Sequence, residues 1–390
     1  MNQKPESAAS ADKPEYAAMG IHTADRIRAF ILQGGYIPIA TARELYQLRK
    51  NTPLLYGRGT PFAGIYIGGL DKKYIQLARI DLKEFGSGFN GGHGWTPLGS
   101  YLDKYPFTGV YDGNGLDITN LWGDNRDGIP DKRGDGLFGC ASGAELTNIR
   151  IMGGYIRGNF NSGLILGIDL LGGKPVRVSR CACSGRVIGE ACNSGIAIGS
   201  LSCNSHYIGD VHATGDVAVN YDAVGGFIGS VAGGVVERCS VRGMATGKDG
   251  ISGGFAGKIL GHSKIIDCHA GVSVRSLHPS YFCGGFIGYA IPNSLTVINC
   301  YARGPVDGPD GKCGGFLGSA YPFQTIDPKS AHNYWDIETT RQTSSACEGE
   351  GVIEGKKTEE MMARETYKNW DFENIWQIKQ GDYPFLRSEE

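Results

Sequence analysis

The sequence predicts an all-β fold, a β-helix with rungs of about 30 residues and short helical caps at both ends. Three observations predict it. A glycine-bounded word recurs along the chain. Of the 390 residues 62 are glycine, more than twice the usual ~7%. Helical periodicity is absent between residues 136 and 335, where short β-prone segments alternate with Gly, Asn, Asp and Ser turns.

The recurring word consists of two glycines that enclose two or three mostly apolar residues. Its copies are GLFG at 136, GLILG at 163, GIAIG at 195, GFIG at 226, GFAG at 254, GFIG at 285 and GFLG at 315. The first glycines of successive copies are separated by 27, 32, 31, 28, 31 and 30 residues. A near-constant period of this length is the signature of a solenoid, in which each unit stacks on the next.

Glycine is expected where each rung turns sharply or where stacked backbones approach closely. Gly226, Gly254, Gly285 and Gly315 begin the same word in four rungs, so each is predicted to occupy the same corner. The strands of successive rungs then lie ~4.8 Å apart.

Cysteines recur in the second half of several units. The segments VSRCACSG, VERCSVRG, IIDCHAG and VINCYARG place them at matching positions, Cys181, Cys239, Cys268 and Cys300. Ile149 and Ile208 are predicted to fill this position in other units, which indicates an apolar, inward-facing site. The favoured interpretation is a ladder of packed, reduced thiols, because free cysteine behaves as a small hydrophobic residue. A disulfide or a reactive thiol is the alternative.

Residues 19–60 are predicted to form a helical cap or an attachment region, after a flexible leader over residues 1–18. One helix is expected over residues 23–33, with Thr23 as its N-cap and Gly34 as its stop signal. A second helix is expected after Thr41, which forms a capping box with Glu44. Such helices would cover an exposed solenoid end or dock on a larger assembly.

Lead-in rungs are predicted for residues 61–135, the repeats for 136–335 and a C-terminal cap for 336–390. In that cap the segment KTEEMMARETYKNW is predicted to be helical. Its Met361, Met362 and Trp370 would cover the last rung.

Composition excludes several classes of protein. The formal net charge is -2 and the basic residues are scattered, so no nucleic-acid partner is expected. No apolar run reaches the roughly 18 residues of a transmembrane helix, so no membrane insertion is expected. The 11 cysteines include no CxxC pair and no zinc-ligand spacing, and they predict no full disulfide framework.

The repeated words resemble the GLUG motif of bacterial surface and phage-associated repeat proteins. The flanks strengthen this resemblance: YIQLARIDL, GWTPLGS and PFTGVYDGNGLDITNL precede the repeats, and NYWDIETTRQTSSA and GDYPFLR follow them. The resemblance covers roughly residues 36–388 and implies a right-handed β-helix. Its implication for function is broad, because the motif occurs in adhesins and fibres and beside peptidase domains. IgA-cleaving metallopeptidases with similar repeats need an HExxH helix, and none of the 8 histidines lies in such a motif.

The turns before the glycine words carry the candidate ligand-binding residues, which are Tyr221, Asp222, Asp249, His278, Tyr281, Asp307 and Asp310. The repeat register predicts that they lie along one edge of the solenoid. Aromatic and carboxylate side chains together can hold sugars by stacking and hydrogen bonding. Paired carboxylates could also catalyse glycoside cleavage. Plain solvated turns are the third interpretation, because turns are rich in such residues.

The segment GDNRDGIPDKRGDG resembles a calcium loop. Asn125, Asp127, Asp131 and Asp135 would supply oxygen ligands around a glycine turn. Gly123 stands where a first Asp is expected and no bidentate Glu follows, so a solvated loop is the alternative. No cofactor is predicted to be required, and calcium is the candidate ligand.

The leading functional prediction is a non-catalytic structural or receptor-binding module of a bacterial or phage surface fibre or adhesin. It would present edge loops to a cell-surface glycan or protein, and its N-terminal region could join a larger fibre or particle. The alternative is a polysaccharide lyase or glycoside hydrolase. The polar N-terminal segment carries no secretory signal, which predicts cytoplasmic synthesis, delivery outside the Sec route and a surface-exposed site of action, unless a signal has been removed.

Overall fold

The computed structural model describes residues 29, 33–49, 54–55, 66–126, 134–291, 295–320 and 326–390. Within these residues the chain is almost entirely β-structure and winds as a solenoid of parallel strands. The described strands form one sheet of 24 strands, a second sheet of 7 and two antiparallel pairs. The predicted β-helix is confirmed.

The large sheet contains the strands Tyr36–Ile39, Lys73–Gln76, Ile80–Asp81, Val110–Asp112, Asp117–Thr119, Trp122–Asp124, Gly134–Asp135, Glu145–Thr147, Arg150–Gly158, Asn161–Ser162, Arg177–Gly189, Ser194–Gly195, His206–Gly225, Gly234–Glu237, Ser240–Gly253, Ser263–Ile266, His269–Ser276, Cys283–Gly284, Leu295–Ile298, Tyr301–Arg303, Val306–Asp307, Cys313–Gly314, Asn333–Asp336 and Ile353–Lys356. The second sheet contains Phe138–Ala141, Leu166–Asp169, Ile198–Leu201, Ile228–Val231, Ala256–Ile259, Ile287–Ala290 and Leu317–Ser319. The antiparallel pairs are Leu54–Leu55 with Tyr66–Ile67 and Trp376–Gln377 with Phe385–Leu386. The α-helices are Ala42–Gln47, Ile337–Thr340 and Thr358–Met361, and the 3-10 helices are Lys83–Phe85, Asn90–Gly92, Arg364–Thr366 and Arg387–Glu389.

One complete rung shows how each repeat is built. Gly234–Glu237 forms its first face, residues 240–243 its second and residues 244–247 its third. The chain then turns and returns through Ala256–Ile259 in the second sheet. Parallel pairing between rungs keeps equivalent residues in columns, so that Val217 lies beside Ala245 and Ala245 beside Val274.

The phenylalanines of the glycine words form a continuous ladder in the core. Phe227, Phe255, Phe286 and Phe316 are fully buried, and their successive ring centroids are 4.8, 4.8 and 4.7 Å apart. This separation equals the strand spacing of a β-sheet, so the period of the sequence sets the ring stacking. Each stacked aromatic pair adds about 0.5–1.5 kcal/mol beyond the burial of its area.

The word-initial glycines lie where the backbones of stacked rungs approach closely. A Cβ atom on Gly254 would overlap the carbonyl oxygen of Gly285, and one on Gly285 would overlap that of Gly315. None of Gly226, Gly254, Gly285 and Gly315 has a positive φ. Close packing between rungs, rather than a left-handed backbone, therefore requires glycine here.

Between the first and second faces, each rung turns at a non-glycine residue in the left-handed conformation. Successive rungs place Asn148, Arg180, Asp210, Arg238, Asp267, Asn299 and His332 there, with φ between 49° and 58°. Their outward side chains bond between rungs: Asn148 Nδ2 donates to Asp112 Oδ1 (2.8 Å), and Arg238 Nε donates to Asp210 Oδ1 (2.8 Å). These bonds offset the left-handed strain of roughly 1–2 kcal/mol per residue.

The predicted cysteine ladder follows this corner. Cys181, Cys239, Cys268 and Cys300 point into the core and are at most 2% exposed. Each thiol donates to the carbonyl two residues before it, at 3.1–3.2 Å. The thiol of Cys268 also accepts a bond from the amide of Cys239 (3.4 Å), which would otherwise be buried without a partner.

The prediction that Ile208 shares this position is wrong. The register pairs Cys181 with Val211, whereas Ile208 pairs with Val178 on the first face. Val211 is preceded by Asp210, the left-handed corner residue of its rung, and it is also fully buried. The apolar character of the position is therefore confirmed, with valine as its occupant.

The N-terminal end begins the solenoid earlier than predicted. Tyr36–Ile39, placed in the helical region by the sequence, already pairs in parallel with Lys73–Gln76. The helix Ala42–Gln47 follows, and its Thr41–Glu44 capping box is confirmed. The helix predicted over residues 23–33 lies almost entirely outside the described residues, as does the predicted leader over residues 1–18.

The C-terminal segment differs from the predicted end cap. Asn333–Asp336 and Ile353–Lys356 continue the solenoid past residue 335, and the predicted helix ends at Met361. Met361 and Trp370 pack with Tyr301 and Tyr334 on the outside of the second face.

Polar contacts carry the same segment further back along that face. Glu389 Oε1 lies 2.6 Å from His269 Nε2, and Ser388 Oγ lies 3.1 Å from His212 Nε2. Trp376 Nε1 donates to Asp267 Oδ1 (2.9 Å). The segment is therefore a strap along the side of the rungs.

Candidate ligand-binding edge

Four successive corners, called turns below, join the third face to the second sheet; the first two lie within the strands His206–Gly225 and Ser240–Gly253, and the last two are irregular. They are residues 220–222, 248–250, 277–282 and 308–312, and we call them the outer edge. Their alignment follows from the register, which pairs Tyr221 with Asp249 before the turns end.

The first two turns bring three predicted residues together. Tyr221 is 56% exposed and lies directly beside Asp249 of the next rung. Asp222 follows in a left-handed conformation, with φ of 73°. Its carboxylate forms an ion pair with Lys258. An exposed aromatic residue is therefore followed directly in sequence by a partly buried ion pair.

The third turn presents His278 and Tyr281, whose ring centroids are 5.0 Å apart. The backbone amide of Ser280 donates to His278 Nδ1 (3.2 Å), which fixes the imidazole within the turn. Leu277 is 58% exposed and Tyr281 37%. This turn is the most apolar part of the outer edge.

The fourth turn contains Asp310 and is fastened to the third. The ammonium of Lys312 lies 4.8 Å from the centre of the Phe282 ring. A disulfide joins Cys283 to Cys313, which are paired neighbours on adjacent rungs. The disulfide between these two cysteines was not predicted from the sequence, although their 30-residue separation equals one rung.

Asp307 is placed apart from the other predicted residues. It belongs to the strand Val306–Asp307 on the third face, beside Arg275, and its carboxylate lies 3.7 Å from Arg341. It is also three rungs from Asp222, about 14 Å at the strand spacing of a sheet. That is beyond the roughly 9.5 Å that separates the carboxylates of an inverting glycosidase.

A hydrolase at the outer edge would therefore need a closer carboxylate pair. Asp222 and Asp249 lie on neighbouring rungs, and Asp222 is engaged by Lys258. The hydrolase alternative stays a prediction.

The calcium prediction concerns a loop of which the structure describes only the ends. Asp127 and Asp131 lie outside the described residues. Asn125 Nδ2 donates to Asp135 Oδ1 (2.6 Å), so the amide nitrogen rather than the oxygen faces the carboxylate. Asp135 itself is fully buried. Calcium binding stays a prediction, and a melting temperature that rises with millimolar calcium would be its signature.

A further polar cluster was missed by the sequence analysis. Asp169, Cys203 and His206 bring one potential ligand atom each within 4.8 Å of one another, the one such group within the described residues. Asp169 is fully buried and accepts bonds from the Ser202 amide (2.7 Å), the Ser202 hydroxyl (2.9 Å) and the Cys203 amide (2.8 Å). His206 Nε2 lies 3.3 Å from its second oxygen.

The hydrogen bonds of this cluster decide its chemistry. The Val176 amide donates to His206 Nδ1 (3.0 Å), so the proton of the neutral ring is on Nε2, facing Asp169. Neither nitrogen then has a lone pair for a metal ion or for the thiol of Cys203. Burial opposes the charge of Asp169, but bonds from His206, Cys203 and Ser202 lower the pKa of its carboxyl to about 2.

The cluster is thus an anchor for the turn 202–206. In sequence, Asp169 occupies a column that is otherwise apolar, beside Ala141 and one rung before Leu201. A buried Asp in an apolar column is the signal that could have revealed it.

No helix in the described part of the chain has the length and apolar character needed to cross a membrane. No family model matches the sequence. The chain is 29% identical over 398 aligned residues to Halomucin of Haloquadratum walsbyi, and the alignment covers 98% of this chain but 4% of Halomucin. The chain therefore spans a small fraction of the length of that relative.

Among solved structures, a protein from Bacteroides ovatus described provisionally as an immunoglobulin A1 protease is similar. It matches with a TM-score of 0.53 and 20% identity, over 91% of this chain and 92% of the other. At this identity the likeness concerns the fold alone. The chain thus shares a β-solenoid fold with that structure.

Proposed function

We propose that this chain is a non-catalytic, GLUG-type β-solenoid module of a bacterial or phage surface fibre or adhesin. Its outer edge binds a cell-surface glycan or protein. The observation that carries the proposal is the exposure of Tyr221, Leu277 and Tyr281 among charged side chains on successive turns. Exposed aromatic residues beside polar groups are typical of binding surfaces.

The alignment with Halomucin supports a modular role. A chain of this length matches a small segment of a much longer protein, as expected for a solenoid module joined to others. The N-terminal region is the proposed point of attachment to a larger fibre or particle.

The test is binding of the full chain to an array of bacterial polysaccharides and to whole cells. Tyr221→Ala and Tyr281→Ala should each weaken binding at least tenfold. Leu260→Ala is the matched control, because Leu260 is 42% exposed and lies outside the outer edge. Equal binding by all variants would contradict the proposal.

The same array distinguishes the hydrolase alternative. Release of new reducing or unsaturated ends, lost on Asp222→Asn, would assign catalysis to the outer edge in place of simple binding.

A further inference from the structure

An open groove of about 480 Å³ lies on the lead-in rungs, away from the outer edge. One wall is the segment 83–88. The other consists of Asn120, Leu121 and Trp122 and of Gly153 and Tyr155 on the next rung. Nothing in the outer edge contributes to it.

The groove contains two aromatic residues, Trp122 and Tyr155, in a column of the third face that otherwise carries non-aromatic residues. Trp122 and Tyr155 are paired neighbours on the third face, both half-exposed, with ring planes 15° apart and centroids 5.9 Å apart. The outward column continues through Arg186, Asp216 and Met244, without another aromatic ring in those rungs. Two large rings are therefore held at the surface beside a groove.

The groove is also preformed. Asp81 Oδ1 accepts from the side chain of Asn120 (2.8 Å) and from the amide of Lys83 (2.9 Å), which ties the two walls together. Phe85 anchors the segment 83–88 by stacking on Tyr46, with centroids 4.5 Å apart. The Trp95 amide donates to the Trp122 carbonyl (2.8 Å).

The charges around the groove favour an anion. Lys83 is the charged side chain among the residues that line it, and the two nearby carboxylates are engaged, Glu84 by Arg43 at 2.9 Å and Asp81 by the hydrogen bonds from Asn120 and the Lys83 amide. Exposed Arg186 lies one rung beyond Tyr155. Lys83 and Arg186 thus flank the aromatic pair. The next residue in the outward column after Arg186 is the acidic Asp216.

We infer that this groove binds an anionic pyranoside polysaccharide, with Trp122 and Tyr155 contacting the sugar rings and Lys83 and Arg186 facing their carboxylates. Pyranose rings offer apolar C–H faces to aromatic side chains and hydroxyls to groups such as Asn120 and Ser87. An open groove accommodates a segment of a long chain, whereas a small isolated ligand needs more enclosure. The inference shares with the proposed function only the assumption of a glycan ligand, since the residues differ.

The experiment measures binding of the full chain to a hexamer of galacturonic acid and to cellohexaose, by calorimetry and tryptophan fluorescence. The galacturonate hexamer should bind, with an affinity that falls as salt rises. Tyr155→Ala and Trp122→Ala should each weaken it at least tenfold. Lys83→Gln should weaken it severalfold and reduce the salt dependence.

Two controls separate this site from the outer edge and from misfolding. Met244→Ala, in the same outward column, and Tyr221→Ala, on the outer edge, should leave hexamer binding unchanged. Absence of hexamer binding by the unmodified chain, or equal loss in Met244→Ala, would overturn the inference. So would equal affinity for cellohexaose. Loss of binding in Tyr221→Ala alone would place the sugar on the outer edge and support only the proposed function.

Discussion

The stacked core and the outer edge differ in how strongly the repeat constrains their residues. In the core, the residue after the first glycine of each word is always buried and apolar, and in the last four copies it is a phenylalanine whose ring stacks between its neighbours. On the outer edge the corner at 220–222 lies within a strand, whereas residues 277–282 form an irregular turn of six residues with a different composition. The repeat thus constrains what is stacked and leaves the turns free to acquire binding residues.

The largest loss of stability is expected from a substitution in the buried cluster of Asp169, Cys203 and His206. Asp169→Ala removes the acceptor of three hydrogen bonds and leaves His206 buried without its partner. We expect a loss of about 3–5 kcal/mol in the free energy of unfolding, because each buried donor left without an acceptor costs about 1–3 kcal/mol. Chemical denaturation of both proteins measures it, with Asp249→Ala on the outer edge, expected within about 0.5 kcal/mol, as the control.

The second-largest effect is expected from substitutions of the first glycine in the repeated words. Gly254→Ala and Gly285→Ala should each destabilise by about 1–3 kcal/mol, because the added Cβ overlaps a carbonyl oxygen of the next rung. Gly349→Ala is a matched control, since no atom beyond its chain neighbours lies within 4 Å of the position that a Cβ would take there. If the two core variants were as stable as the control while losing a ligand, the glycines would belong to a binding site.

Acid should weaken the C-terminal strap before it weakens the rungs. Burial lowers the pKa of His212 and of His269 below the ordinary 6.5, although Glu389 opposes this shift. When the strap is detached, His212 and His269 on the rungs are exposed and bind protons below about pH 6.5 that they do not bind beneath the docked strap, so stability falls as pH falls.

Thermal unfolding followed by tryptophan fluorescence between pH 8 and pH 5 measures this loss. The variant His212→Gln should show a flatter pH profile than the unmodified chain. A profile that is flat for both proteins would show that these histidines do not control docking.

The thiols supply the smallest and most local test. Cys239, Cys268 and Cys300 are fully buried, and burial raises the pKa of Cys239 and Cys268. Because the thiolate is the reactive form, these three should resist alkylation in the native protein. Cys192 is partly exposed and serves as the internal control. Mass spectrometry after brief labelling should find Cys192 modified first, and rapid labelling of all four would argue against a buried ladder.

Much of the fold could be predicted from the sequence because equivalent residues of stacked rungs recur at a nearly constant interval along the chain. The period of the glycine words predicted the rungs, and the Cys positions predicted an inward column. The register within a rung was less determined, since Ile208 and Val211 are both apolar and lie three residues apart. Only the left-handed corner at Asp210 assigns the column to Val211.

Some of the candidate site residues were likewise predictable from the sequence, and others were not. Turn composition predicted Tyr221, Asp249, His278 and Tyr281, which the structure places on the outer edge, whereas Asp307 lies on the third face. Trp122 and Tyr155 were not predicted. Their adjacency depends on the 33-residue step from the last lead-in rung to the first rung of the repeat region.

By itself, the sequence determined the solenoid, its period and its apolar columns, because these depend on spacing along the chain. Tertiary structure decided where chain segments distant in sequence meet. It laid the C-terminal strap along His212, His269 and Asp267 rather than over the last rung. It also formed an open groove between residues 83–88 and Tyr155. Such contacts depend on the shape and charge of finished surfaces, which no local pattern of residues specifies.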